Sequence, residues 1–319
     1  MGVEKIPALR VALVLPAMAL CLATAAYGHE PSRSASPAAN RLALTGLSLG
    51  DGTELQTHGL DPIVPPLAAG GNSGIFDAPG RDPFCVGSAG EPQLRIVYAA
   101  IPGGDPVKSS KRKIRAAVRH MNGMIRKSAR RSSGGRVTAD LRVACDRRHR
   151  TAVTTIGASR NLTFASLVSL VRVLELLRLN TKYLIFYGET AANGCGVAQL
   201  MPDDRAVASN LSNNLLPMYG MVWRRCWDGG APLHETAHLM GAVQGSAPHS
   251  TGLGHCYDGL DILCYDDGGL RARQRKVCKA YRFDCGYNDF FDAAPKGYLA
   301  THWNLASPLN RYLRLRPTG

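Results

Sequence analysis

Hydrophobic and polar positions fall into a few distinct patterns along the chain. Residues 94–98 (Leu-Arg-Ile-Val-Tyr) read as a strand, closed by the turn-forming Ile101-Pro102-Gly103-Gly104. A helix is predicted over 109–128, where Ile114, Val118, Met121 and Ile125 recur at helical spacing and form one apolar stripe. Gly134-Gly135 ends that unit, and 136–143 and 151–156 read as further strands. Residues 162–179 are apolar on most faces, which predicts a largely buried helix, and 182–187 (Lys-Tyr-Leu-Ile-Phe-Tyr) form the clearest central strand. Strands alternating with helices, followed by a helix bearing charged side chains, predict a mixed α/β or α+β domain of enzyme size.

The N-terminal part follows different rules. Lys5 and Arg10 precede an apolar run over 11–26, which ends in Ala26-Tyr27-Gly28. A short apolar run that ends in small residues reads as a signal peptide over 1–28 and not as a spanning helix. The mature chain is therefore expected to be secreted, with no stable membrane insertion once the signal is removed. Residues 29–90 are rich in Pro, Ser, Ala and Gly and show no sustained periodicity, so they read as a disordered linker or a propeptide. The folded domain is then expected over 91–319.

That compartment changes how the cysteines are read. The sequence has nine, and loss of the signal peptide removes Cys21 and leaves eight. An even number in an exported chain predicts disulfides. Proximity favours Cys256–Cys264 and Cys278–Cys285, which leaves Cys85–Cys145 and Cys195–Cys226 as the preferred remainder.

Charge adds a second candidate surface. With 38 Lys and Arg against 24 Asp and Glu, the 319-residue chain carries a net charge of +14. Ten of these cations, from Lys108 to Arg131, crowd the predicted helix opposite its apolar stripe. They read either as a solvated face or as a surface for an anionic polymer. No aromatic residue interleaves them, so no specific nucleic acid is expected as a partner.

The most informative chemistry lies in Leu233-His234-Glu235-Thr236-Ala237-His238-Leu239-Met240-Gly241. His234 and His238 are four residues apart, so on a helix both imidazoles point to the same side and can take two corners of a zinc tetrahedron. Glu235, on a neighbouring face, is placed to accept a proton from the attacking water. Gly241 can end the helix and turn the chain back towards the metal. Asp258, Asp261, Asp266 and Asp267 offer oxygens for calcium, but their spacing fits no EF-hand loop and a solvated acidic turn is the simpler reading.

The His-Glu-x-x-His-x-x-Gly run from His234 to Gly241 resembles the zincin metallopeptidases, and its glycine resembles the metzincin clan. The resemblance implies an α+β, metzincin-like catalytic domain with a mixed twisted sheet, an active-site helix and a disulfide-stapled C-terminal part. It also implies one zinc ion per chain, a zinc-activated water with Glu235 as general base, and a protein or peptide substrate. Gln244 stands where the clan places its third ligand, which leaves His249 or His255 for that role, with His249 favoured for its shorter detour. Leu263 occupies the position of the clan's methionine turn, and Tyr265 is placed where some members bring a tyrosine onto the zinc or the oxyanion. Residues 241–265 and 297–304 together resemble secreted bacterial proteins of zincin type. The expected activity is that of a secreted zinc metalloendopeptidase. Gln244 and Leu263, both off-pattern, keep a non-catalytic binding protein on a zincin scaffold as the alternative, beside the anionic-polymer binder.

Overall fold

The computed structural model describes residues 43–48, 54–57, 61 and 74–319, except 175–177, 191–193, 214–215, 228–229, 271–274 and 276. The signal peptide expected over 1–28 lies outside these residues, as does much of the segment read as a linker.

Ten strands make one mixed sheet. They are β1 (Ala43–Ser48), β2 (Glu54–Thr57), β3 (Phe84–Val86), β4 (Gln93–Ala100), β5 (Val137–Ala144), β6 (Val153–Gly157), β7 (Thr181–Tyr187), β8 (Gly196–Leu200), β9 (Met218–Trp223) and β10 (Leu313–Pro317). Across the sheet the order is β1-β2-β8-β9-β7-β4-β5-β10, with β6 also on β4 and β3 on β5. The pairs β6–β4, β4–β7 and β7–β9 are parallel, whereas β8 runs antiparallel to β9. The architecture is thus mixed α/β. The predicted strands at 94–98, 136–143, 151–156 and 182–187 coincide with β4 to β7.

The period-two alternation of these strands builds a core on each face. Leu94, Ile96, Tyr98, Leu184, Phe186, Ala198 and Val222 point to one side, where they meet Ile114, Val118, Met121 and Ile125 of α1 (Val107–Ser132) and Leu233 and Ala237 of α3 (Ala231–Leu239). Val97, Ala99, Tyr183, Ile185, Tyr187 and Met221 point to the other side, under Leu167, Val168 and Val171 of α2 (Phe164–Leu174). The expectation of a largely buried second helix is corrected here. The helix lies on the outside of the sheet, so only one stripe is covered, and Val173 and Leu174 are 74% and 53% exposed.

All four expected disulfides are present: Cys85–Cys145, Cys195–Cys226, Cys256–Cys264 and Cys278–Cys285. Beyond α3 the chain is mostly loop until the short α4 (Tyr298–Thr301) and β10, and two of these bridges staple it. No described helix is long and apolar enough to cross a membrane.

Candidate metal centre

Helix α3 packs against β8 and β9, and all nine of its residues are buried. Two glycines on those strands make room for it. A Cβ on Gly196 would collide with the Glu235 carboxylate, and one on Gly220 would press within 3.3 Å of Glu235 Cβ. Gly241 ends the helix in the left-handed region at φ 96°, where a side chain would also meet Ser212 and the indole of Trp303. The following chain then returns beneath the helix. Ala242 O receives Nδ1 of His238 at 2.5 Å, while Ile262 O receives Nδ1 of His234 at 2.6 Å.

These two contacts fix the chemistry of the opposite ring edges. A carbonyl oxygen only accepts, so each Nδ1 carries a proton, and in a neutral ring Nε2 then keeps its lone pair. The two Nε2 atoms lie 2.9 Å apart. A proton or a metal ion between them makes that approach favourable. The third imidazole belongs to His255, whose Nδ1 lies 2.9 Å from Asp267, itself held by the Thr251 hydroxyl at 2.7 Å. His234, His238 and His255 form a buried group whose ligand atoms all lie within 4.8 Å of one another, able to hold a metal ion. Three imidazole nitrogens, with Nδ1 partners on a carbonyl or a carboxylate, suit a divalent transition metal.

His249, the residue favoured for the third ligand, is not in this group but in a second one, with Asp258 and Asp289, whose ligand atoms also lie within 4.8 Å of one another. Its backbone N–H and Nδ1 are taken by Asp289 at 2.9 and 3.0 Å, and Nδ1 also lies 3.3 Å from Asp258. His255 reaches the centre because its neighbour Cys256 is bonded to Cys264, which ties it to the turn at Ile262. Gln244 is buried and donates to Met201 O and Gly241 O, so it braces the return of the chain. Leu263, fully buried, belongs to the turn that presents Ile262 O to His234.

Three further groups surround the histidines. Glu235 is completely buried, and burial together with the nearby charge of Asp61 holds its carboxyl well above the usual carboxylate range. Tyr265 lies against His255 with ring centroids 4.2 Å apart, and burial and Asp61 push its hydroxyl up, so it stays protonated. That hydroxyl donates to Asp61 Oδ1 at 2.6 Å. Asp61 in turn lies 3.3 Å from Nε2 of His234 and 3.2 Å from Nε2 of His255. Burial works against a charged His255, yet the carboxylates of Asp267 and Asp61 outweigh it and hold the imidazole above its ordinary value.

Asp61 stands outside every sequence expectation, because it lies in a segment without periodicity and reaches the centre only through tertiary pairing. The four aspartates considered for calcium are divided among separate tasks. Asp258 faces His249 and Arg275, Asp261 accepts the N–H groups of Leu263 and Cys285, Asp266 accepts from Gly268 N, and Asp267 orients His255. The basic residues of α1 flank its buried stripe as expected, and Arg126 pairs with Asp140 at 3.1 Å.

No protein-family model matches the chain, and no curated protein matches it in sequence. Among solved structures, two crystal forms of wild-type OgpA from Akkermansia muciniphila each align over 70% of both chains, at 12% and 13% identity, each with a TM-score of 0.30. A likeness at that level does not define a shared fold or activity.

Proposed function

We propose that the chain is a secreted zinc metalloendopeptidase, in which His234, His238 and His255 hold the ion and Glu235 is the general base. The observation that carries this reading is the convergence of three imidazoles whose ligand atoms lie within 4.8 Å of one another, with Nδ1 of His234 and His238 held by backbone carbonyls. Zinc, when bound, would polarise the scissile carbonyl and bring the pKa of water towards about 7.

The chain's own residues do the rest. Glu235 takes a proton from the attacking water and passes it to the amide nitrogen as the carbon–nitrogen bond breaks. Burial and the charge of Asp61 raise its basicity, and a bound cation would favour its charged form. Tyr265, protonated and aimed into the site, donates to the carbonyl oxygen as negative charge develops there. Asp267 holds His255 in one tautomer, and Ile262 O and Ala242 O do the same for His234 and His238. Strand β8 runs antiparallel to β9 and next to α3, and its other edge is paired with β2 and Asp61. The apolar N-terminal run and four disulfides support export to an oxidising compartment.

Comparing Asp61→Ala, which uncovers the histidines, with the double variant Asp61→Ala/Glu235→Ala tests the assignment. Both should contain about one zinc per chain, and the double variant should cleave casein about 10²–10⁴-fold more slowly. Equal cleavage rates, or no cleavage by either zinc-loaded protein, would overturn the peptidase assignment.

A further inference from the structure

We propose that the outer side of α1 binds a sulfated polysaccharide chain, with one sulfate seated in a cavity lined by Arg81, Arg126, Lys127 and Arg130. This site shares no residue with the metal centre, so it stands whether or not that centre is catalytic.

The helix supplies the charge. Its 26 residues include ten Lys and Arg and no Asp or Glu. Lys108, Arg112, Arg115, Arg119, Arg126 and Arg130 follow one another at spacings of four, three, four, seven and four, which sets them on one ridge. At the rise of an α-helix that ridge runs about 33 Å. The carboxylates that answer it are outnumbered. Asp105 is shared by Lys113 and Arg224, Asp146 by Arg115 and Arg150, and Asp140 by Arg126 and Arg316. Each of these groupings keeps an excess of positive charge.

The gap in the ridge between Arg119 and Arg126 holds the cavity. Here Pro79 and Gly80 cross α1 so closely that a Cβ on Gly123 would lie 2.2 Å from Pro79 O, and Arg81 N–H donates to Arg119 O at 2.9 Å. The crossing leaves a cavity of about 430 Å³ with Pro79 and Gly123 among its walls and the four cations around them. Burial and the neighbouring Arg131 lower the pKa of Lys127, and burial and Arg282 lower that of Arg131, with Asp77 offsetting the crowding only in part. An oxyanion in the cavity relieves that crowding, and the planar forks of the arginines can hold it through paired hydrogen bonds.

The surface also selects the kind of polyanion. No aromatic side chain lies on α1, so bases would find nothing to stack on. Val107, at its first position, is the one large hydrophobic residue of the helix that is exposed, too little to enter a membrane. The outward face of a helix has no unpaired backbone edge to offer an extended acidic peptide. The cavity admits a group borne on a slender chain and not the convex backbone of a duplex. A slender chain with repeated anions, needing neither stacking nor insertion nor backbone pairing, is a sulfated polysaccharide.

The test titrates the full-length protein in a calorimeter with a heparin dodecasaccharide, its desulfated counterpart, polyglutamate and a single-stranded oligonucleotide, each at two salt concentrations. Lys127→Gln/Arg130→Gln removes two cations from the cavity, and Arg147→Gln/Arg148→Gln removes two exposed cations elsewhere; circular dichroism checks both folds. The parent should bind heparin at least about tenfold more tightly than the other probes. The cavity variant should lose at least about tenfold in heparin affinity and depend less steeply on salt, while the control stays within about twofold of the parent. Equal losses in the two variants would reduce the binding to net charge and overturn the site. No binding of heparin, or equal binding of any other probe, would overturn the ligand. Should the cavity variant misfold, Arg81→Gln, on the crossing segment and outside the helix, decides by the same comparison.

Discussion

Among the described residues two histidine–aspartate clusters stand out, and they are built to opposite ends. Around His234, His238 and His255 each Nδ1 faces a carbonyl or a carboxylate, while the Nε2 atoms of His234 and His238 approach each other and those of His234 and His255 approach Asp61. Around His249 the charges close on themselves: Nδ1 meets Asp289 and Asp258, and Arg275 Nε meets Asp258 at 3.0 Å. The second cluster brings one imidazole together with two carboxylates and a guanidinium, whereas the first brings three imidazoles within reach of one ion. Residue types alone do not separate a metal centre from an ion-pair network; the direction of the second nitrogen on each ring does.

Removing a ligand should break the contrast most strongly. His238→Ala or His255→Ala is expected to weaken zinc binding by at least about 10³-fold, measured by competition with a chelator. His249→Ala should leave zinc affinity unchanged and instead lower stability by about 3 kcal/mol in chemical denaturation, because it leaves Asp258 and Asp289 buried with less compensation. Zinc loss in His249→Ala would merge the two clusters into one and contradict the account.

Lys182 sharpens the comparison from a third direction. It is fully buried with Nζ against Met218 Sδ and over the Tyr312 ring, and among the described residues no carboxylate pairs with it. Burial pulls its pKa from 10.5 down to about 7. The unfolded chain therefore binds a proton that the folded chain lacks between these values, so stability should rise as pH increases through that window and fall as pH drops towards 7. Lys182→Met is expected to add about 2–4 kcal/mol near neutral pH and to flatten that rise, checked by denaturation at several pH values. The smallest effect belongs to the orienting carboxylate: Asp267→Asn should weaken zinc binding by about 10–100-fold without removing a ligand, read in the same chelator competition.

Much of this was legible in the chain, for local reasons. A four-residue spacing on a helix is enough to bring the imidazoles of His234 and His238 together, and alternation within 94–98 and 182–187 marks the central strands. Cysteines eight and seven residues apart pair for want of better partners. What escaped depends on the fold as a whole. The choice between His249 and His255 set the shorter chain distance to His249 against the expected Cys256–Cys264 bridge, and only the folded loop brings His255 beside Ile262. Strands β8 and β9 were not anticipated, because Gly196 and Gly220, kept small for Glu235, dilute the apolar signal there. The alternating Leu313-Arg314-Leu315-Arg316 did carry a strand signal for β10. Asp61 had none, since only the pairing of its backbone with Cys195 and Gly196 delivers its carboxylate.

X-ray absorption at the zinc edge of the full-length protein tests the central claim most directly. The account predicts a first shell of nitrogen and oxygen only, at about 2.0–2.1 Å, with imidazole scattering from three rings that falls when His255 is replaced by alanine and is unaltered in His249→Ala. A sulfur shell near about 2.3 Å, or a spectrum that changes with His249 and not with His255, would contradict it.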